Sequence, residues 1–360
     1  MTSPVAAPFR NFASELAGAS LAGGWRVVAI IPRSAHATGG SFSVQYQVEN
    51  AEGHAAFLKA IDLTAARSFP DVFRAMEGIL RAYNYERDLV GRCASAKTDR
   101  IVTIWDSGQV EIEPGNPFSL VPYLIFEMAD GDIHKYIDFS RGVDIAFAAR
   151  TLHEVSVGLS QLHQLSIAHQ DVKPSNVVVF PGAGAKLGDL GRASSQGVPI
   201  DHDHAPWAGD AKYTPPELLY GAGSTSDWAT RRVGCDAYMF GALAVFLMTG
   251  LCVSAEIQQR LPPALRRGVF RGSYPDVLPF IVQATNELIL EVEASIPHEI
   301  RSGIGTMIRS LCEPDPAKRG HPAQRKQKHG NPYDLRRYTS ELDIIRRRAE
   351  ASVLRARSAP

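Results

Sequence analysis

The stretch Ala168–Gly191, AHQDVKPSNVVVFPGAGAKLGDLG, constrains the fold of this 360-residue chain more than any other. It holds a carboxylate (Asp171), a lysine (Lys173), an amide (Asn176) and a second carboxylate (Asp189). Two apolar runs, Val177–Phe180 and Ala185–Leu187, read as a short hairpin that would hold the flanking loops rigidly apart. Phosphoryl transfer needs such parts: a base to orient a hydroxyl, a cation to offset charge on the migrating group, and hard oxygen donors for Mg²⁺. The plain alternative makes both aspartates turn or cap residues between strands.

Order and spacing decide between the two readings. HQDVKPSN is followed, thirteen residues after Asn176, by DLG. The pattern resembles the catalytic loop and metal-binding loop of the eukaryotic-type serine/threonine protein kinases, HxDxKxxN and a DFG-like triplet. The resemblance implies an α+β, bilobal fold: a small lobe with a five-stranded antiparallel sheet and one long helix, and a larger, mostly helical lobe. It implies ATP and Mg²⁺ as cofactors and a protein substrate offering a Ser or Thr hydroxyl. The KPSN form favours Ser/Thr over Tyr. In the implied roles Asp171 is the base, Lys173 neutralises the phosphoryl oxygens, and Asn176 and Asp189 hold the metal ions.

Length and composition agree with two packed lobes. Lysine plus arginine equals aspartate plus glutamate at 38 each, so global charge argues for no nucleic-acid or membrane partner. Cys93, Cys235, Cys252 and Cys312 form no CxxC pair, which argues against a zinc site or disulfide framework and for reduced thiols in a cytoplasmic setting. The N-terminus lacks a basic start followed by an apolar core, and Met239–Leu251 is apolar enough for a buried helix.

Residues 1–23, rich in Ala, Ser and Gly, read as a partly disordered segment with a short helix near Phe12–Leu16. The kinase-like domain is expected over 24–322, with a small lobe 24–126, a hinge 127–131 and a large lobe 132–322, followed by a basic helical tail at 323–360. WRVVAII, SFSVQYQV and HAAFLKAIDL read as three strands of a meander, and Ile101–Trp105 and Tyr123–Phe126 as two more. Between the first two strands, Ala37–Ser43 stands where the family has its glycine-rich loop, which makes Gly39, Gly40 and Ser41 the implied phosphate contacts; Thr38 and Ser43 replace two of the family's glycines.

Lys59, in FLK, is similar to the strand lysine that holds the nucleotide phosphates, and alternation puts Phe57 on its face. Ser68-Phe69-Pro70-Asp71 reads as a helix start with a cap and early proline. Phe73, Met76, Leu80, Tyr83, Val90 and Cys93 then mark an apolar face. Glu86 is the implied partner of Lys59, with Glu77 second, and the long separation from Lys59 predicts an extended helix or an inserted turn. Glu127 and Ala129 fall in the implied hinge, behind Phe126 at the gatekeeper position. Asp132 is placed for ribose, and Val178 completes the nucleotide contacts.

In the large lobe Leu152, Val155, Leu159 and Leu162 predict a core-facing helix leading into the catalytic loop. YTPPE resembles the end of the kinase activation segment, and its Glu217 is expected to pair with Arg319. Asp236 and Gly241 match the family's DxxxxG, whose aspartate caps the catalytic loop. Gln170 stands where many kinases have an arginine that binds an activation-segment phosphate, so a phosphate on Ser194 or Ser195 would find less cationic pull. The alternation Asp201-His202-Asp203-His204 reads as a solvated loop more readily than as a metal site. In the tail, Tyr338, Leu342, Ile344 and Ile345 suggest an amphipathic helix with Arg346, Arg347 and Arg348 solvated. Phe57, the irregular glycine loop and Asp210, where the family usually has threonine, support an alternative: a pseudokinase that binds nucleotide or partners. A small-molecule kinase is the third reading.

Overall fold

A computed structural model describes residues 10–32, 42–222, 227–327 and 330–358. The chain forms two compact units, Met1–Lys97 with Val102–Ala129, and Thr98–Ile101 with Asp130–Pro360.

The first unit is built on a sheet of β1 (Arg26–Ile30), β2 (Ser43–Glu49), β3 (Ala55–Ile61), β4 (Ile104–Glu111) and β5 (Leu120–Glu127), with α1 (Val72–Ser95) between β3 and β4 in sequence. The strand order is β1-β2-β3-β5-β4 and every pairing is antiparallel. Alternation in β3 buries Ala56, Leu58 and Ala60 on one face and leaves Phe57 and Lys59 half-buried on the other.

The N-terminal segment is more ordered than its composition predicts. Phe12, Ala13 and Leu16 join Tyr46, Val48 and Leu58 in one buried cluster. The Tyr46 hydroxyl donates to the Ala13 carbonyl at 2.8 Å and accepts the Leu16 N–H at 3.3 Å. Phe12, Ala13, Leu16 and Leu21 thus dock this segment into the core while Ser14, Glu15, Ala17 and Gly18 stay exposed, with a 3-10 turn at Phe12–Ser14.

The start of α1 also differs from expectation. Its cap is Asp71, which accepts the Arg74 N–H at 3.0 Å, while Ser68 closes a preceding 3-10 turn, Leu63–Ser68, by donating to the Ala65 carbonyl. Helical spacing alone puts Phe73 on the apolar face, yet it is 83% exposed; the buried stripe begins at Tyr83 and runs through Glu86, Leu89, Val90 and Cys93.

The second unit begins with β6 (Gly131–Asp132) and α2 (Ile145–Gln164), then β7 (Ile167–Ala168), β8 (Val177–Phe180), β9 (Gly184–Leu187) and β10 (Ser194–Ser195). Helices follow: α3 (Pro216–Leu219), α4 (Gly234–Thr249), α5 (Val253–Arg260), α6 (Tyr274–Ser295), α7 (His298–Leu311), α8 (Pro322–Arg325) and α9 (Arg336–Ser358). On α2, Leu152, Val155, Leu159 and Leu162 are fully buried, as their spacing predicts. Every residue from Gly234 to Met248 is buried, so α4 is the central helix of this unit; Ala229–Thr249 is long and apolar enough to cross a membrane but is 94% buried here. Gly241 permits this packing, because a Cβ would sit 2.8 Å from Leu311 Cβ and 2.9 Å from Cys312 Sγ.

The expected tail belongs to this unit. α9 packs along α2 and α7, burying Tyr338 and Leu342, and Arg150 pairs with Glu350 at 2.8 Å. Arg346 is half-buried between Asp343 and Glu350, at 2.6 and 3.1 Å, because the helix carries acids at the spacing that meets it; Arg347 and Arg348 face solvent. Ile344 lies off the packed face, 52% exposed.

Candidate active site

In the first unit, Lys59 Nζ lies 2.8 and 2.9 Å from the two oxygens of Glu86, which is 4% exposed. The six-residue 3-10 turn and the long α1 account for the sequence distance between them. Glu77, the other candidate, pairs with Arg81 at the surface. The Phe57 ring packs against Phe126 with centroids 6.4 Å apart, so a bulky aromatic pair lines the strand that carries Lys59. Glu127 is held to Thr103: its N–H donates to the Thr103 carbonyl at 3.0 Å and its Oε1 accepts the Thr103 N–H at 2.7 Å. Ala129 ends the first unit. Gly39, Gly40 and Ser41 lie outside the described residues.

In the second unit, three donors converge on the Asp171 carboxylate, which is 5% exposed. Lys173 Nζ and Asn176 Nδ2 reach Oδ2 at 2.8 and 3.0 Å, and the Asp210 N–H reaches Oδ1 at 2.8 Å. A carboxylate has about four lone-pair positions, so one on Oδ1 is left for a further donor. Asn176 Nδ2 also donates to the Asp171 carbonyl at 2.8 Å, which fixes the amide's orientation and turns its oxygen away from that contact.

Asp236 organises the backbone before Asp171. Its Oδ2 accepts the His169 N–H at 2.7 Å and its Oδ1 accepts the Gln170 N–H at 2.8 Å. This holds Gln170 at φ 64°, a left-handed conformation that costs about 1 kcal/mol or more in a residue with a Cβ. The Asp171 N–H donates to His169 Nδ1 at 3.3 Å, so Nε2 carries the proton and donates to the Gly188 carbonyl at 3.0 Å. Gly188 N–H in turn reaches the Asn176 carbonyl at 2.9 Å. Asp189 follows at φ 57° and ψ 78°, its Oδ1 accepting the Gly191 N–H at 3.3 Å. The hairpin β8–β9 therefore sets two loops side by side, one ending in Asn176 and one opening at Asp189.

Asp132 and Val178 are register partners in β6 and β8. Asp132 Oδ1 caps the short helix Ile133–Tyr136, accepting the His134 N–H at 2.9 Å with His134 Nδ1 at 3.1 Å. The carboxylate placed for ribose is thus already committed on one oxygen, because it sits at a helix start.

The segment after Asp189 is tightly held. Ser194 and Ser195 pair with β7 and are buried, and the Ser194 hydroxyl accepts the Trp228 indole N–H at 3.0 Å, so neither is an open phosphate acceptor. His202 Nε2 donates to the Ala193 carbonyl at 2.9 Å, and burial holds its pKa below the ordinary value. Asp203 pairs with Arg232 at 2.8 Å rather than standing solvated. Gly209 lies against the catalytic loop: a Cβ there would overlap the Gln170 carbonyl and sit 2.6 Å from Asp171 Oδ1. Glu217 and Arg319 form the expected pair, at 2.7 and 2.8 Å.

The sequence reading missed Arg232, Gly209 and the Asp210 N–H. The only local signal was the doubled arginine, Arg231-Arg232, just before an apolar helix.

Comparison with known proteins bears on the whole arrangement. Residues 39–329 match the family described as "Protein kinase domain". The chain is similar to cyclin-dependent kinase 1 of Encephalitozoon cuniculi, 31% identical over 139 residues, covering 38% of this chain and 41% of that protein. It is similar to serine/threonine-protein kinase SBK1 of Danio rerio, 29% identical over 144 residues, covering 38% and 35%. To Aurora/IPL1-related protein kinase 2 of Caenorhabditis briggsae it is 29% identical over 175 residues, covering 46% and 51%. The chain thus spans between about a third and a half of the length of these curated relatives.

Proposed function

Because this chain belongs to the protein kinase domain family, we propose that it transfers the γ-phosphoryl group of ATP to a serine or threonine hydroxyl of a protein. The observation that supports this reading best is the set of donors at Asp171, two from its own loop and one from the segment after Asp189. They fix the orientation of the carboxylate while leaving one lone pair to receive a hydroxyl proton.

In this reading the substrate oxygen bonds to the γ-phosphorus as the bond to the ADP oxygen breaks, and the hydroxyl proton passes to Asp171. Lys173 stands 2.8 Å from that carboxylate and offsets charge on the phosphoryl oxygens. Lys59, steadied by Glu86, holds the nucleotide phosphates. Asn176 and Asp189 suit Mg²⁺: the Asn176 amide is oriented through its nitrogen, and an amide oxygen with a carboxylate is a hard donor set. Such an ion would supply positive charge against the phosphates. Serine/threonine preference is supported by Lys173 within KPSN and by the similarity to the Danio rerio serine/threonine-protein kinase SBK1.

A second reading, a nucleotide-binding scaffold, is favoured by the 5% exposure of Asp171 and by the Phe57–Phe126 pair beside Lys59. Transfer from labelled ATP to a generic protein substrate separates the two, with Asp189→Ala as control. Transfer by the wild type that Asp189→Ala lacks supports the enzyme; nucleotide binding with equal residual transfer in both supports the scaffold.

A further inference from the structure

We propose that Arg232 is a positioning residue that couples the segment after Asp189 to the catalytic loop, and that Asp203 supplies the anion that keeps this coupling closed without phosphorylation. The inference rests on the kinase reading of Asp171 and extends it to regulation of the same site.

Arg232 is 2% exposed, one of the largest fully enclosed side chains in the protein. A buried guanidinium must find both an anion and acceptors for its remaining N–H groups. Nη2 lies 2.8 Å from Asp203 Oδ1 and donates to the Asp203 carbonyl at 2.9 Å. Nη1 donates to Gln170 Oε1 at 3.1 Å. Gln170 answers through Nε2, donating to the Arg232 carbonyl at 2.8 Å and to Asp236 Oδ1 at 3.0 Å. A continuous chain of polar contacts therefore runs from Asp203, through Arg232, to the left-handed residue that precedes Asp171.

The local fold explains how the arginine gets there. Arg232 belongs to a single π-helical turn, Ala229–Val233, leading into α4. The wider turn brings consecutive side chains closer in direction than an α-helix does. Arg231 accordingly reaches the same stretch, its Nη2 donating to the carbonyls of Asp203 and Ala205 at 2.6 and 2.8 Å.

Gln170 is neutral and cannot hold an anion, but it can relay one held by Arg232. The Asp203 carboxylate supplies the negative charge beside Arg232, as an ion pair at 2.8 Å, that a phosphate would supply, and it is present permanently. The buried positions of Ser194 and Ser195 fit this arrangement.

The test uses the whole chain, treated with phosphatase and shown by mass spectrometry to be unmodified, carrying Asp203→Asn or Asp203→Glu. Asp203→Asn should speed amide exchange about tenfold both in residues 196–208 and in residues 168–172. It should lower kcat by about tenfold or more with little change in KM for ATP, while Asp203→Glu, which keeps the charge, should restore most of both. Faster exchange confined to 196–208, or wild-type exchange in both stretches, overturns the coupling. Loss of activity in the phosphatase-treated wild type, regained on phosphorylation, overturns the role given to Asp203. If the untreated wild type transfers no phosphoryl group the kinase reading fails, and exchange at 168–172 still decides the coupling.

Discussion

Arg319 donates from both Nη atoms to the two carboxylate oxygens of Glu217, 102 residues away in sequence. The guanidinium is fully buried, reaches the carbonyls of Gly234 and Glu313, and lies 5.0 Å over the Tyr238 ring. Removing one member of a buried pair leaves the other charge unpaired, at about 3–5 kcal/mol. Arg319→Ala should therefore lower the unfolding free energy from urea titration by that amount and shift the midpoint down accordingly, and Arg319→Lys should recover little, because an ammonium cannot reproduce the two parallel bonds. An unshifted midpoint would show that the pair carries no weight in stability.

Asp171→Asn should fold as the wild type does and lose about 10²–10⁴ in transfer rate, the usual effect of losing a positioned base. The readout pairs labelled phosphate transfer with the thermal shift produced by Mg²⁺ and ATP. A retained shift with lost transfer assigns the defect to chemistry; equal transfer in both proteins would remove Asp171 from the mechanism.

Gly209→Ala should also reduce transfer while sparing nucleotide binding, for a steric reason. The added methyl group would overlap the Gln170 carbonyl, forcing residues 209–210 away and withdrawing the Asp210 N–H from Asp171 Oδ1. With one of its three donors gone the carboxylate is oriented less firmly, so kcat should fall about tenfold with little change in KM for ATP. A wild-type kcat would show that this N–H does not orient the base.

The His202 pKa is lowered, chiefly by burial, with Arg192 and Arg232 adding to the effect and the Ala193 carbonyl and Asp203 opposing it. From about pH 6.5 downward the unfolded chain binds a proton that the folded chain refuses. The stability contributed by neutral His202 is therefore intact above about pH 6.5 and is lost as pH falls through the lower folded value. Urea midpoints at pH 7.5 and pH 5.5 should differ more for the wild type than for His202→Gln. Equal drops in the two proteins would exclude this residue as a contributor.

Phe73 and Leu89 share one helix but not one environment. Phe73→Ser should change stability by no more than about 0.5 kcal/mol, as expected for an exposed side chain. Leu89→Ala should cost about 2–5 kcal/mol through the cavity it leaves. Comparable losses from both would mean that the first turns of α1 are packed after all.

These contrasts show what could be read from the chain. Asp171, Lys173, Asn176 and Asp189 were legible because residue type and short-range spacing suffice to mark a loop, a hairpin and a loop. The Lys59–Glu86 pair was legible in identity, and its long separation implied an extended helix or an inserted turn; the structure has both, the 3-10 turn Leu63–Ser68 and the long α1. Helical periodicity includes Phe73 whether or not a partner lies opposite, so the pattern overreached the packed stripe. Ser68 and Asp71 are both able caps, and the choice fell to the geometry of the preceding turn. Arg232 was hidden because a basic pair beside an apolar helix reads as surface, and its burial depends on Asp203 and Gln170 arriving from distant chain. Residues 10–23 read as partly disordered around a short helix near Phe12–Leu16, because small residues outnumber the few large ones that dock.

The packing of α9 along α2 and α7 carries a practical warning for anyone trimming this protein by homology. The family match stops at residue 329, seven positions before α9 begins at Arg336. A fragment cut there would contain every catalytic candidate yet lack Tyr333, Leu335, Tyr338 and Leu342, all fully enclosed in the intact chain. The faces of α2 and α7 bared by losing α9 would be oily, the kind of surface that drives newly made protein into inclusion bodies. An inactive, insoluble fragment of that length would report on the missing helix and say nothing about the chemistry.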